Sequence, residues 1–264
     1  MSSFFLSSAV FVLGLIVGSF LNCVIYRLEQ GSSFLKGRSF CPLCKHTLSW
    51  RDLIPVLSFL MLKGKCRYCH QKISWQYPLV ELATGLLFLF IVQTQLTWNM
   101  EQLTIFDVLY FCYLLIIICF LIIIFVYDFK HYLIPDKVIY PAILISGIWL
   151  VYERQGMINT AYAAFGAALF FLIIVLISRG KWMGVGDIKL AFLMGLFLGW
   201  PAILVALLSA FYLGALVGIC LIMSGRKTLR SEIPFGPFLI TGTFLAMFFG
   251  EKLVDWYLAL FLIK

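Results

Sequence analysis

The sequence predicts an all-α polytopic membrane protein with about eight transmembrane helices and one small cytoplasmic zinc-knuckle insertion. Of its 264 residues, 63% are hydrophobic and only 12% are charged, and the mean hydropathy is +1.03. In a soluble domain about a quarter of the residues are charged, so this chain has too few charged residues to cover a water-facing surface. The apolar runs are continuous rather than alternating, which excludes a β-barrel as the main plan.

Eight segments are predicted as membrane helices, because a span needs about 20 mostly apolar residues. They cover residues 4–26, 78–96, 104–127, 135–152, 159–178, 186–200, 202–223 and 235–250. The sixth segment is short, and the eighth carries a polar tail. We expect three parts, namely a first helix over 1–26, a Cys-rich insertion over 27–77 and a membrane core over 78–264. No internal repeat is evident.

The basic residues predict the orientation of the chain. With the N-terminus outside and eight spans, 17 of the 20 Lys and Arg residues fall in the inside segments, as is typical of cytoplasmic loops. The start, Met1-Ser-Ser-Phe4, has no basic residue, which favours an uncleaved anchor over a signal peptide. The Cys-rich loop is then cytoplasmic. We assign the net charge of +8 to topology and anionic membrane lipid, not to nucleic acid.

Four cysteines of the insertion form two pairs, Cys41-Pro-Leu-Cys44 and Cys66-Arg-Tyr-Cys69. Two Cys-x-x-Cys knuckles at this spacing can bring four thiolates around a structural zinc ion. The alternative is a reduced or redox-active tetrathiol, since a cytoplasmic loop disfavours disulfides. His46 and His70 are expected to be solvated. Cys23, Cys112, Cys119 and Cys220 lie in or beside apolar spans and are expected to be small apolar filler.

Asp128 and Asp187 are the carboxylates best placed for chemistry, because each lies where an apolar helix meets the inner surface. Asp128 follows the run Leu121–Tyr127 at the C-terminus of its helix, where the helix dipole disfavours an anion. A charge in a span costs at least about 2.5 kcal/mol, so such a residue requires an explanation. The alternative is a surface Asp that pairs with Lys130 or His131.

Asp187 opens a helix directly after Gly184-Val-Gly186. The alternative role is an ordinary N-cap, a position where Asp is favoured. Gly184 and Gly186 favour a functional site because they carry no side chain and allow another chain, the substrate, to approach. Asp136 follows Pro135, which is typical of a helix start, and it is expected to be structural.

Two neighbouring aspartates in different surroundings can divide the acid and base roles of a peptidase. One activates a water against a peptide carbonyl while the other protonates the departing nitrogen. We expect Asp187 to carry the charge and Asp128 the proton, because a helix N-terminus favours an anion. Two other classes remain open: an ion- or proton-coupled transporter with both aspartates as a relay, and a non-enzymatic membrane scaffold.

An ordered series of motifs runs through nearly the whole chain. They are Gly18-Ser-Phe-Leu-Asn-Cys-Val-Ile-Tyr-Arg27, the two Cys-x-x-Cys pairs, Asp52-Leu-Ile-Pro-Val-Leu-Ser58, Gly64-Lys-Cys66, Tyr77-Pro-Leu-Val-Glu-Leu82, the segment 128–136, Gly184-Val-Gly-Asp-Ile-Lys-Leu190 and Pro234-Phe-Gly-Pro237. In this order the motifs resemble the type IV prepilin peptidases, bacterial members of the GxGD aspartic peptidases.

The resemblance implies that Asp128 and Asp187 are the catalytic pair. It implies cleavage of the short basic leader of prepilins or pseudopilins at the cytoplasmic face of the bacterial inner membrane. Such substrates serve pili, protein secretion or DNA uptake in competence. Many members also N-methylate the new N-terminus with S-adenosylmethionine, and Gly64 and Lys65 lie in the region associated with that second activity.

Overall fold

The computed structural model describes residues 2–32, 37–95, 104–153, 156–228 and 231–262. In these ranges the regular structure is helical, apart from two isolated β-bridges. The helices are α1 (Ser2–Glu29), α2 (Leu57–Met61), α3 (Gln76–Gln95), α4 (Ile105–His131), α5 (Asp136–Glu153), α6 (Met157–Ser178), α7 (Val185–Leu198), α8 (Ala202–Met223) and α9 (Gly236–Leu262). A 3₁₀ turn covers Trp50–Leu53. All eight segments predicted as membrane helices are helical.

The lengths of the helices divide the eight predicted spans into two groups. Within the described ranges, six helices are long and apolar enough to cross a membrane, namely α1, α3, α4, α6, α8 and α9. Helix α5 has 18 residues and contains Pro141, and α7 has only 14 residues. A helix of that length rises about 21 Å, which is short of the roughly 30 Å hydrocarbon core. Helix α9 continues beyond residue 250 to Leu262, and Glu251 and Lys252 are exposed on its surface.

The chain forms two compact units, Met1–Ile123 and Ile124–Lys264. The boundary lies inside α4, whereas the sequence suggested boundaries at residues 26 and 77. The insertion belongs to the first unit. The predicted division into three parts remains a prediction.

In the first unit, α1 and α3 pack antiparallel with their backbones in contact. A Cβ atom on Gly14 would lie 2.7 Å from the Cα of Gly85, and one on Gly18 would lie 2.7 Å from the Cα of Glu81. Small residues four positions apart allow membrane helices this close approach. The end of α1 therefore lies beside the start of α3, and both ends of the insertion meet there.

Buried polar side chains fasten the insertion to this helix pair. The Asn22 amide donates to the Tyr77 carbonyl oxygen at 3.0 Å, and the Arg27 guanidinium donates to the Gly37 carbonyl oxygen at 2.8 Å. Both side chains are buried. Because an unpaired polar group is costly beside lipid, these bonds fix the path of the chain at the membrane end of α1.

The insertion contains an internal repeat of 25 residues, although the sequence had suggested none. The two knuckles share the same backbone features at positions 25 residues apart. These are the bridges Phe40–Thr47 and Lys65–Lys72, the left-handed residues Lys45 and His70, the hydrogen bonds from Cys41 to His46 and from Cys66 to Gln71, and the bonds from Leu48 to Ser39 and from Ile73 to Gly64. Each copy ends in Ser-Trp at the start of a helical turn, at Trp50 and at Trp75. The two knuckles, residues 39–50 and 64–75, have the same residue only at the two cysteines and at this Ser-Trp pair. The repeat is therefore visible in the backbone rather than in the sequence.

In the second unit, close packing of small residues again joins the helices. Gly195 of α7 contacts the backbone of α6 at Ala164, and Gly242 of α9 contacts the backbone of α8 at Ala206. Phe171 lies fully buried in the core of this unit. The tight pairing positions the first turns of α7 and α9, which carry the candidate site.

Candidate functional site

Asp128 lies in the last turn of α4 and is buried, with 5% of the residue exposed. Its Oδ2 atom accepts a hydrogen bond from the backbone N–H of Gly236, the first residue of α9, at 3.1 Å. A helix N-terminus favours an anion. The environment of Asp128 is therefore not simply the unfavourable helix C-terminus expected from the sequence, because a second helix points its positive end at the carboxylate.

Gly236 is the residue that makes this contact possible. A Cβ atom at that position would lie 2.5 Å from Oδ2 and 3.1 Å from Cγ of Asp128. Real Cβ atoms do not approach other atoms so closely, so any other residue would displace the carboxylate. The sequence marked the Pro234–Pro237 motif but gave Gly236 no role.

Asp187 lies in the first turn of α7 and is also buried. Gly184 occupies the N-cap position, and Asp187 is the third residue of the helix, so the N-cap role considered from the sequence is wrong. Its Oδ2 atom instead reaches back and accepts the Gly184 N–H at 3.1 Å. This is half of a capping box, since glycine has no side chain to complete it.

The carboxylates of Asp128 and Asp187 lie close enough for their charges to interact. Each is buried, and each accepts one backbone N–H from a glycine at a helix start. The start of α9 therefore reduces the electrostatic asymmetry between the helix ends, and the charge on Asp187 with the proton on Asp128 remains a prediction. Protons in such a pair belong to both groups together.

The two glycines of the GxGD motif have different surroundings. A Cβ atom on Gly184 would meet only atoms at 3.9 Å, so its outer side is open. A Cβ atom on Gly186 would lie 3.1 Å from the Cβ of Ile134. The sequence suggested that Gly186 leaves free space for a substrate, but Ile134 fills the space beside Gly186. The contact packs α7 against the segment before α5.

An ion pair joins the starts of α5 and α7. The Lys189 ammonium lies 2.6 Å from Oδ1 of Asp136 and 4.8 Å from the centre of the Tyr140 ring. Asp136 has the structural role expected of it, but its partner is 53 residues away in the chain. Neither Lys189 nor Ile134 was recognised from the sequence, because nothing in one sequence reveals such a distant pairing.

The four cysteine sulfur atoms of the insertion converge. They all lie within 4.8 Å of one another, and the sulfurs of Cys41 and Cys69 are 4.0 Å apart. Tetrahedral coordination at about 2.3 Å sets sulfur atoms roughly 3.8 Å apart, so the cluster has the dimensions of a closed four-sulfur metal site. These four residues can hold a metal ion.

The chemistry of the cluster fits a cation as well as its dimensions do. The Gln71 backbone N–H lowers the pKa of the Cys69 thiol, but burial and the neighbouring thiols of Cys66, Cys44 and Cys41 raise that pKa to about 11. Several thiolates this close repel one another, and a bound divalent cation offsets that repulsion.

Asp52 ties the two knuckles together. Burial by itself would raise the pKa of this carboxyl, but hydrogen bonds from Ser49, Arg67 and Tyr68 hold the pKa at about 2. The Arg67 Nε atom lies 2.7 Å and the Tyr68 hydroxyl 3.0 Å from its oxygens. The exposed His46 ring lies against the Tyr68 ring, with ring centres 3.7 Å apart and planes tilted by 37°. The aspartate is therefore ionised at neutral pH, and its hydrogen bonds to Arg67 and Tyr68 fasten the second knuckle.

Two family models match the chain. Residues 12–95 match the bacterial peptidase A24 N-terminal domain, and residues 115–219 match the type IV leader peptidase family. The first match contains the cysteine cluster, and the second contains Asp128 and Asp187.

Relatives match over most of the chain. Proteins named prepilin leader peptidase/N-methyltransferase from Bacillus subtilis (strain 168) and Aeromonas salmonicida (strain A449) are 33% and 32% identical, over 95% and 96% of this chain and 97% and 94% of theirs. One of the same name from Myxococcus xanthus (strain DK1622) is 39% identical over 84% of this chain and 65% of its own length. No solved structure matches the chain significantly. The coverage and identity establish that this multi-pass membrane protein belongs to the type IV leader peptidase family.

Proposed function

We propose that the protein is an aspartic endopeptidase that removes the short basic leader from type IV prepilins or pseudopilins at the cytoplasmic face of the bacterial inner membrane. The observation that carries the proposal is the pair of neighbouring buried carboxylates, Asp128 and Asp187, in a chain of this family. The names of the relatives supply the substrate class. A transporter or a passive scaffold is not favoured, because neither accounts for the family.

In the proposed reaction, one carboxylate takes a proton from a water molecule, whose oxygen attacks the scissile carbonyl carbon. The other carboxyl group protonates the departing amide nitrogen as the carbon–nitrogen bond breaks. The backbone N–H groups of Gly184 and Gly236 orient the two carboxylates. The open side of Gly184 is where the unwound substrate backbone approaches.

The decisive experiment replaces each aspartate by asparagine and follows leader loss from a prepilin with the detergent-purified protein. Asp128→Asn and Asp187→Asn should each lower the cleavage rate by about 10²–10⁴-fold or more, because each removes a group that transfers a proton. Asp255→Asn, an exposed aspartate of α9, is the matched control and should leave the rate unchanged. Full cleavage by either catalytic variant would refute the assignment.

We also propose that Cys41, Cys44, Cys66 and Cys69 hold a structural zinc ion. Zinc is the metal that closed four-cysteine sites with Cys-x-x-Cys spacing ordinarily bind, and the ion would cross-link the two knuckles. Metal analysis of the purified protein should find about one zinc per chain. A metal-free protein with the same protease resistance would overturn the proposal.

N-methylation of the new N-terminus with S-adenosylmethionine is proposed on the names of the relatives alone. The names assign no residue of this chain to S-adenosylmethionine. Gly64 has a φ of +69° and packs against the Phe59 ring, so the turn by itself accounts for a glycine at this position. Lys65 forms the β-bridge of the second knuckle with Lys72. Transfer of a labelled methyl group to cleaved pilin tests the activity. No transfer by a preparation that cleaves normally would remove it.

The proposed orientation places the N-terminus outside and the Cys-rich insertion in the cytoplasm. Its support is the excess of Lys and Arg in the predicted inside segments. Reporter fusions after residue 30 and after residue 99 should report opposite sides of the membrane, because the span formed by α3 lies between them.

A further inference from the structure

Large apolar side chains cover the outside of the insertion between its two knuckles. We call Trp50, Leu53, Leu57, Leu60, Met61 and Trp75 the apolar rim, and all six are exposed. Trp50 is 71% and Met61 82% exposed. In α2, Leu57, Leu60 and Met61 share one face at helical spacing, while Phe59 faces inward onto Trp75 at 5.0 Å. Water is therefore an unfavourable solvent for this face of α2.

The rim is held at the level where a membrane span begins. The Glu81 carboxylate, in the second turn of α3, accepts the Val56 N–H at 2.7 Å, and Val56 directly precedes α2. Glu81 lies five residues inside the span that begins at Gln76, which corresponds to about 8 Å along the helix. The α2 segment therefore lies alongside the end of the span rather than above it.

The backbone at Val56 supports the idea that this position is fixed. Val56 has a φ of +60°, a conformation that β-branched residues rarely adopt, and the Leu57 N–H closes a three-residue turn onto Pro55. Such a residue persists only where its surroundings impose it. The buried Glu81 carboxylate, which accepts the Val56 N–H, holds this residue in place.

The charge around the rim complements anionic lipid. Residues 37–75 hold seven Lys and Arg side chains and one carboxylate, Asp52, which is already bonded to Arg67. Arg51 and Lys63 are exposed at the two ends of the segment that contains α2. Basic side chains beside exposed tryptophans are typical of surfaces in the headgroup region. The repeat places one such tryptophan at the end of each knuckle.

We propose that the apolar rim inserts into the headgroup boundary of the leaflet from which the insertion emerges, with Arg51 and Lys63 on anionic lipid headgroups. The insertion is then a membrane-bound element rather than a free domain on a stalk. The proposal concerns the lipid contact alone and does not depend on peptidase or methyltransferase activity.

The test uses the full-length protein in vesicles of phosphatidylcholine with roughly a third phosphatidylglycerol. A fluorescent amino acid is introduced at Met61, and quenching by lipids brominated near the glycerol end of the acyl chain is measured. The matched control carries the probe at Leu43, an apolar residue on the first knuckle that is 65% exposed. We expect at least about threefold stronger quenching at Met61, because a rim inserted about 5–10 Å deep meets the bromine atoms.

A second measurement identifies what covers the rim. A photoreactive amino acid at Leu60 should form adducts with lipid, and fewer adducts when phosphatidylglycerol is omitted. Equal quenching at Met61 and Leu43 would overturn the proposal. Adducts formed with a prepilin, with residues 124–264 or with a second copy of the chain, in place of lipid, would overturn it as well.

Discussion

The Cys-rich insertion and the carboxylate pair obtain their geometry in opposite ways. In the insertion the important contacts are short-range and repeated, so that two copies of a 25-residue unit bring four sulfur atoms together. At the carboxylate pair the contacts are not repeated, and the hydrogen bond between Asp128 and Gly236 joins parts of the chain that are 108 residues apart. The difference teaches that the first region divides its stability among many contacts and is most sensitive at its cysteines, whereas the second depends on individual glycine contacts.

We expect the largest effect from Gly236→Ala, which tests whether the carboxylate pair depends on a single glycine contact. The added methyl group would occupy the place of the Asp128 carboxylate oxygen, so we expect cleavage of prepilin to fall by about 10²–10⁴-fold. The fold should be unaffected, because alanine is accepted at a helix start. Gly250→Ala, in the same helix, is the control, since its nearest neighbour is Ala202 at 3.7 Å. Normal cleavage by Gly236→Ala would show that the carboxylate does not need this contact.

The corresponding change in the insertion is Cys66→Ser. We expect the bound metal to fall from about one per chain to nearly none, because a closed site needs all four sulfur ligands. Residues 38–74 should then become sensitive to protease. Cys220→Ser changes an exposed cysteine of α8 and should keep the metal. Retained metal in Cys66→Ser would contradict the four-cysteine site.

Asp52→Asn tests whether the knuckles are also held without the metal. Asparagine cannot accept all the hydrogen bonds that Ser49, Arg67 and Tyr68 donate, so the local stability of the insertion should fall by about 1–3 kcal/mol. Amide hydrogen exchange over residues 49–68 measures the loss, and metal content should remain near one per chain. Unchanged exchange, with Asp255→Asn as reference, would mean that the metal alone orders the insertion.

Lys189→Met should have the smallest effect. The Asp136 partner is 61% and Lys189 25% exposed, and exposed ion pairs contribute only about 0.2–1 kcal/mol. We expect a reduction of about fivefold or less in cleavage rate, with Lys137→Met as the control. The double variant Asp136→Lys with Lys189→Asp should restore the rate. A loss as large as that for Gly236→Ala would instead assign Lys189 a direct part in the reaction.

The fold class was predictable because hydropathy is a local property, and all eight apolar segments became helices. The fold class also included the insertion, where Cys-x-x-Cys spacing indicated a four-sulfur cluster. The backbone repeat was missed because the two copies share few side chains. Gly236 and Lys189 were missed because each acts on a residue 53 or more positions away. Gly186 was misjudged because a glycine that admits a substrate and a glycine that seats a helix look identical in a sequence.

The backbone contact between α1 and α3 has a consequence for the length of the insertion. The close helix packing at Gly14 and Gly18 holds the two ends of the insertion together independently of its cysteines. The packing of the helix hairpin then offsets the entropic cost of closing this loop. Each doubling of loop length adds only about 0.6 kcal/mol to that cost. The insertion can therefore lengthen or shorten during evolution without displacing the helices that carry it. Its metal site needs to organise only a chain whose ends are already joined.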